Sequence, residues 1–208
     1  MLLKKKITNI PQNQNGEKFM EQSSQVKILE SQIRECFGRV VYTHKTQEKC
    51  ADIVCKLHKK LKLFQIILSG VITTSLLVKI FADNQIALII SAVLSTILFG
   101  LNMYMKDYDL GEITQKHTNS ANELWDIRET YLSLLTDIKA DELSVNQIIN
   151  RRDELQKRLS SVYSGSPRTN NKAYKEASKS LKLNEDLTFS DKEIGAFLPK
   201  ELHKSIKD

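Results

Sequence analysis

The 208-residue chain carries a formal net charge of +6, and this charge is unevenly distributed. Residues 1–62 hold 13 basic and 6 acidic side chains, whereas residues 106–208 hold 17 basic and 18 acidic ones. The length fits one domain, or one membrane hairpin with soluble arms. A basic chain can bind nucleic acid, but the sequence has no basic patch interleaved with aromatic residues, so direct nucleic-acid binding is not expected.

The N-terminal part of the sequence changes character near residue 17. Residues 1–16 are polar and lysine-rich and lack apolar periodicity, which predicts a disordered N-terminus. Residues 17–62 repeat apolar side chains at three- and four-residue spacing from Val26 onward, which predicts an amphipathic helical arm. The second half of this arm is expected to continue directly into the segment that follows.

Two apolar runs of 20 residues each follow, at residues 63–82 and 86–105. Lys79 is the one charged residue of the first run, and the second run contains none. A helix rises about 1.5 Å per residue, so each run would span the roughly 30 Å of a bilayer's hydrocarbon core. Backbone polar groups in lipid must be hydrogen-bonded internally, which favours helices. We therefore predict a transmembrane hairpin over residues 63–105; the alternative is two buried helices of a soluble bundle.

The charges beside the first apolar run predict the orientation of the hairpin. Lys56, Lys59, Lys60 and Lys62 directly precede this run, whereas the loop at residues 83–85 carries only an aspartate. Positive charge beside a membrane span tends to remain in the cytoplasm. Both termini are therefore predicted to lie in the cytoplasm, and the four lysines are expected to contact anionic lipid headgroups.

Each apolar run carries a stripe of polar residues. The polar positions are Gln65, Ser69, Thr73 and Lys79 in the first run and Ser91, Ser95 and Asn102 in the second. Such residues allow membrane helices to pack closely and to hydrogen-bond. They could equally line a pore, which requires an oligomer because two helices cannot enclose a channel. Both interpretations remain open, although packing is favoured because every hairpin must pack.

Residues 106–163 predict a second cytoplasmic helical arm. Its first helix is marked by a broad apolar stripe that runs from Leu110 to Ile138 and includes Trp125 and Leu132. A second helix is expected to begin near Asp141 and to continue to the end of the arm.

The remaining residues, 164–208, predict short helices and a C-terminal tail. Glycine and proline at residues 165 and 167 interrupt the helical pattern. Ser190 and Glu193 have the spacing of a capping box, in which each side chain bonds the other's backbone amide, and this predicts a last short helix.

A zinc site built from His44, Cys50, Cys55 and His58 is disfavoured by geometry. On one helix His44 would lie about 21 Å from His58, whereas the ligands of zinc surround a single point. The sequence also lacks a glycine-rich phosphate loop and a nucleophile elbow. We therefore expect no enzyme activity, no metal and no cofactor.

The two remaining histidines, His117 and His203, are isolated in the sequence and are expected to be exposed to solvent.

The order of these elements resembles the SLATT family, the bacterial two-transmembrane effectors associated with nucleotide-signalling conflict systems. The residues that carry the resemblance are the hairpin, residues 39–42, residues 122–128 with Tyr131, Leu134, Leu135 and Asp137, and residues 166–169 with Ala173, Tyr174 and Ala177. The match is one of layout and scattered positions. The resemblance implies an all-α membrane protein with a two-helix transmembrane hairpin between long amphipathic cytoplasmic helices.

The resemblance also implies a function. Members of the family are expected to permeabilise the bacterial inner membrane as homo-oligomers in antiphage defence or abortive infection. Their partner is a nucleotide-generating or nucleotide-sensing protein, or a reverse transcriptase. Because the chain carries no recognisable sensor domain, its trigger is expected from a separate protein or from a ligand of the arms. The alternative is a membrane-anchored helical scaffold that recruits a cytoplasmic partner.

Overall fold

The computed structural model describes residues 14–82 and 84–199, and this part of the chain is all-helical, as predicted. The helices are α1 (Gln14–Ala82), α2 (Gln85–Asp107), α3 (Leu110–Lys139), α4 (Val145–Gly165), α5 (Asn171–Leu183) and α6 (Asp191–Phe197). Most of the segment predicted to be disordered lies outside the described residues, but residues 14–16 belong to α1. Asp83 and residues 200–208, including His203, also lie outside them.

Helix α1 is a single helix of 69 residues that contains both the N-terminal arm and the first apolar run. The three prolines of the chain lie outside it, and Gly38 is accommodated without a break. At about 1.5 Å per residue, α1 is about 100 Å long. Within residues 14–82 and 84–199, its first half is surrounded by other helices of the bundle, and its last 20 residues contact α2.

Helices α3, α4 and α5 pack around residues 26–51 of α1, and together they form the helical bundle. Its largest fully buried side chains are Ile33, Val40, Cys50, Leu124, Ile127, Tyr131, Leu134 and Ile148. The bounds of α3 confirm the predicted helix, but its apolar stripe is narrower than expected. Trp125 and Leu132 are 50% and 47% exposed, because each follows a core residue by one position and is turned about 100° away from it.

Capping interactions place the ends of the bundle helices. Asp109 accepts a hydrogen bond from the Glu112 amide at the start of α3. At its end, Asp141 adopts a positive φ of 57°, and the Glu142 amide bonds the Asp137 carbonyl, a pattern typical of a helix terminus. The next helix consequently begins beyond Asp141, where Ser144 caps α4.

The predicted capping box at Ser190 and Glu193 is confirmed. The Ser190 hydroxyl accepts from the Glu193 amide at 3.2 Å, and the Glu193 carboxylate accepts from the Ser190 amide at 2.8 Å.

Helix α5 lies directly against α1 through small side chains. Ala173 and Ala177 are fully buried, and short side chains allow two helix backbones to approach closely. The contact is extended by the stacked rings of Tyr42 and Tyr174, 6.1 Å apart, and by the Lys45–Asp186 ion pair at 3.3 Å. These contacts hold α5 and the residues just after it against the middle of α1.

Replacing Leu124 with alanine should destabilise the bundle by about 2–5 kcal/mol, because the substitution leaves a cavity in a fully buried site. Thermal unfolding of the detergent-solubilised protein, followed by circular dichroism, measures the loss. Leu132→Ala is the matched control on the same helix and should cost about 1 kcal/mol or less. Equal losses for both variants would contradict the assignment of the core.

Candidate functional site

The last 20 residues of α1 and helix α2 form the most apolar part of the molecule, which we call the apolar pair. Both helices are long and apolar enough to cross a membrane. Their large side chains face outward: Ile80 is 72%, Phe81 84% and Phe99 67% exposed. A water-soluble monomer rarely exposes a continuous apolar surface of this extent. The exposure therefore argues against the alternative of two buried helices in a soluble bundle.

The two helices of the apolar pair contact each other along one seam. Leu68 of α1 and Ala87 and Ser91 of α2 are buried there. The Gln65 amide donates a hydrogen bond to the Asn102 side-chain oxygen at 2.5 Å, which sets the register of the pair. At the start of α2, the Asn84 side chain accepts from two backbone amides and caps the helix.

The predicted stripe residues occupy different places in this pair. Ser91 is 3% exposed and lies in the seam, where its hydroxyl bonds the Ala87 carbonyl. Ser69 and Thr73 are exposed, and each hydroxyl bonds the carbonyl four residues earlier. Lys79 is half-buried.

Ser95 and Asn102 on α2 are exposed as well. On both helices, each exposed polar residue comes one position after a buried or half-buried residue of the seam. It is therefore turned about 100° away from the seam, in the same rotational sense on each helix. In an antiparallel pair, such positions lie on the same side, as the Gln65–Asn102 hydrogen bond illustrates. The apolar pair therefore has one side that carries polar groups, formed by Gln65, Ser69, Thr73, Ser95 and Asn102; we call it the polar side.

The lysines predicted to contact headgroups all lie on the outside of α1. Lys56, Lys59, Lys60 and Lys62 are exposed, just before the apolar pair begins. Between these lysines and the apolar bundle core lies a buried polar layer, which contains His44, Gln47 and His117.

This buried polar layer joins α1 to α3. For one of its residues, His117, the prediction of solvent exposure is wrong. His117, expected in solvent, is 4% exposed, and its Nδ1 lies 2.6 Å from the Gln47 side-chain oxygen. The Gln47 amide nitrogen donates to the Pro167 carbonyl at 3.2 Å, so its oxygen faces the imidazole and His117 Nδ1–H is the donor.

A signal for the burial of His117 was present in the sequence. Leu110, His117, Leu124, Tyr131 and Ile138 recur every seven residues, and all five are buried. A seven-residue repeat keeps side chains on one helix face, so this spacing outweighs the polarity of a single imidazole.

The electrostatics of this layer keep its histidines neutral. Burial lowers the pKa of His117. Burial also lowers the pKa of His44, with Arg128 acting in the same direction and Glu48 against it. Lys45 is partly desolvated, but hydrogen bonds and ion pairing with Glu48 and Asp186 outweigh this and raise its pKa.

The cysteines and histidines of α1 do not converge. Cys50 is fully buried and accepts a weak hydrogen bond from the Asn170 amide at 3.8 Å. Burial raises the pKa of its thiol, which keeps it protonated. Among residues 14–82 and 84–199, no group of three or more His, Cys, Asp and Glu side chains could hold a metal ion.

Acidification should destabilise the bundle through the buried histidines. Their pKa values are lower in the folded protein than the usual value of about 6.5, so the unfolded chain binds more protons as the pH falls below that value. Stability is therefore full above this pH and declines below it. The double variant His44→Gln with His117→Gln should lose stability less steeply, as measured by thermal unfolding at a series of pH values. An unchanged slope would contradict this role.

These features define an all-helical protein in which a helical bundle is continued by two candidate membrane spans. The chain belongs to the SMODS and SLOG-associating 2TM effector domain family 4, which matches residues 29–193. This match confirms the family resemblance and covers the bundle and the apolar pair. The comparisons with curated proteins and with solved structures gave no match.

Proposed function

We propose that this protein is an effector that oligomerises in the bacterial inner membrane and permeabilises it, in antiphage defence or abortive infection. The observation that carries the proposal is the polar side of the apolar pair. The Gln65–Asn102 bond holds the two helices together. A hairpin that served only as an anchor would, however, gain nothing from the exposed hydroxyls of Ser69, Thr73 and Ser95 on the same side.

The two amides of the polar side need neighbours that a lone hairpin does not supply. Asn102 uses its oxygen to accept from Gln65, and within residues 14–82 and 84–199 its side-chain N–H groups donate to no other residue. A polar group left without a hydrogen bond in hydrocarbon is costly. Water in a pore, or the polar side of another copy, would satisfy these groups.

The exposed hydroxyls fit the same arrangement. Ser69 and Thr73 bond their own helix backbone, so a single hairpin can hold them in lipid at little cost. Each hydroxyl oxygen keeps a free lone pair for water or a neighbouring helix. The protein could thus insert as a monomer and expose the same residues to a pore after assembly.

Activation would then be a shift between two states of the bundle and the apolar pair. Contacts of α3 and α5 with α1 hold a closed form, and a trigger favours an open oligomer. Because α1 passes from the bundle into the apolar pair without a break, a rotation of its first half is transmitted to the second. The trigger would come from a separate nucleotide-generating or nucleotide-sensing protein, or from a reverse transcriptase.

The double variant Ser69→Leu with Thr73→Leu should keep membrane insertion and abolish permeabilisation, because it removes the central hydroxyls of the polar side. Uptake of a membrane-impermeant dye by bacteria that express the protein is the measurement. Membrane fractionation confirms that the variant is inserted.

Thr74→Leu is the matched control for this variant. Thr74 has the same backbone hydrogen bond, to Gly70, but lies about 180° around the helix from Gln65. It should leave dye uptake unchanged. Equal uptake in the double variant and the wild type would show that the polar side does not line a pore.

A second candidate function is a membrane-anchored scaffold, and the packing of the bundle favours it in one respect. Trp125 and Leu132 leave apolar surface exposed on α3, where a partner could bind. The burial of Ser91 and the Gln65–Asn102 bond would then serve only to hold the two helices together.

Replacing residues 63–105 with a leucine–alanine hairpin of equal length separates the two functions. An anchor depends only on length and hydrophobicity, so a scaffold should keep its protective activity against phage, whereas a pore should lose it together with dye uptake. The experiment is done with the native genomic neighbours present. Retained activity would reject the pore.

A further inference from the structure

The end of the apolar pair nearest the bundle carries a concentrated positive charge. Lys56, Lys59, Lys60 and Lys62 fall within seven residues of α1 and are all exposed. His58 and Leu61, on the opposite side of the helix, are half-buried. The four ammonium groups are therefore directed away from the rest of the molecule.

Helix α2 adds a further positive charge at the same level along the axis of the pair. Antiparallel packing with Gln65 beside Asn102 brings Lys106 level with Leu61, between Lys60 and Lys62. Beyond the end of α2, the His58 ring stays close to the start of α3, 3.9 Å from where a Cβ on Gly111 would lie. We call Lys56, Lys59, Lys60, Lys62 and Lys106 the basic collar.

Acidic residues do not neutralise the basic collar. Within residues 14–82 and 84–199, none of its lysines forms an ion pair, whereas Arg151 and Arg158 of the bundle pair with carboxylates of α3. Asp107 and Asp109 lie near the collar, but the Asp109 carboxylate is engaged as the cap of α3. The collar keeps an excess of positive charge.

Two tyrosines mark the same level of the pair. Tyr104 and Tyr108 stack with ring centroids 4.9 Å apart, and they are 47% and 57% exposed. Tyrosine is enriched at the level of lipid headgroups, because its ring is apolar and its hydroxyl is polar. The exposed apolar surface begins immediately beyond them, at Leu63 and Phe64.

We propose that the basic collar binds the headgroups of anionic phospholipids and makes the protein selective for membranes that contain them. The positive charge adjoins the apolar surface of the pair. A single lipid can therefore place its anionic headgroup against the lysines and its acyl chains against the apolar side chains. A soluble polyanion such as nucleic acid would use the charge but not the apolar surface. The inference rests on the membrane placement of the apolar pair and does not depend on permeabilisation.

The test measures which lipids remain bound to the purified full-length protein. The detergent-solubilised protein is equilibrated with an equimolar mixture of phosphatidylglycerol and phosphatidylethanolamine, repurified, and its bound lipids are quantified by mass spectrometry. Phosphatidylglycerol should be enriched at least about five-fold, the factor that one lysine near a headgroup supplies. Enrichment should fall as the salt concentration rises.

Three variants decide what causes the enrichment. Changing all five lysines of the basic collar to glutamine should abolish it, and changing them to arginine should preserve it. A third variant carries Lys139→Gln, Lys157→Gln, Lys172→Gln, Lys175→Gln and Lys179→Gln in the bundle, where these side chains are exposed. It has the same net charge as the first variant and should keep the enrichment.

Equal enrichment in the two glutamine variants would overturn the proposal, because net charge alone would then explain it. Loss of the bound phosphatidylglycerol on addition of a DNA oligonucleotide would also overturn it, in favour of a soluble polyanion. Circular dichroism verifies the helical fold of each variant. Dye uptake is not part of this measurement, so a failure of lipid selection is distinguishable from a failure of pore formation.

Discussion

The unbroken backbone hydrogen bonding of α1 is the constraint on which the other elements depend. Its buried residues follow a spacing of three and four, as in Leu29, Ile33, Cys36 and Val40, and the same spacing returns in the apolar pair. One helix face is therefore directed toward partners in both regions. In the bundle these partners are α3, α4 and α5, and in the apolar pair the partner is α2.

The character of the buried contacts changes along this face in a way that physical chemistry explains. The bundle core is apolar because water supplies the driving force for its burial. In a bilayer, lipid is as apolar as leucine, so helices associate through small residues and hydrogen bonds instead. Small buried residues and a hydrogen bond join the apolar pair, namely Ala87, Ser91 and the Gln65–Asn102 bond. Large apolar side chains such as Ile33 and Leu124 fill the bundle core. Between the two regions, His117 and Gln47 form a layer that is buried but polar.

Much of the fold follows from patterns within single helices. The bounds of α3 and the capping box at Ser190 could be predicted, because each depends on residues close together in the chain. The burial of His117 could not be read from its polarity, since its partner Gln47 lies 70 residues away. The docking of α5 through Ala173 was equally inaccessible, because alanine carries little pattern by itself. For the candidate site, the polar stripes could be identified from the sequence. Which of their residues is buried, as Ser91 is, and which is exposed, as Ser69 is, depends on how the two helices pack and could not.

The position of the apolar pair between α1 and α3 has a consequence for how the protein is made. Domains form from the N-terminus during synthesis, but the arm of α1 must wait for α3, which follows both apolar helices. The apolar face around Ile33 and Val40 stays uncovered until then. The folding of the bundle is therefore a late event, because the contacts that cover this face join parts of the chain on either side of the two apolar helices.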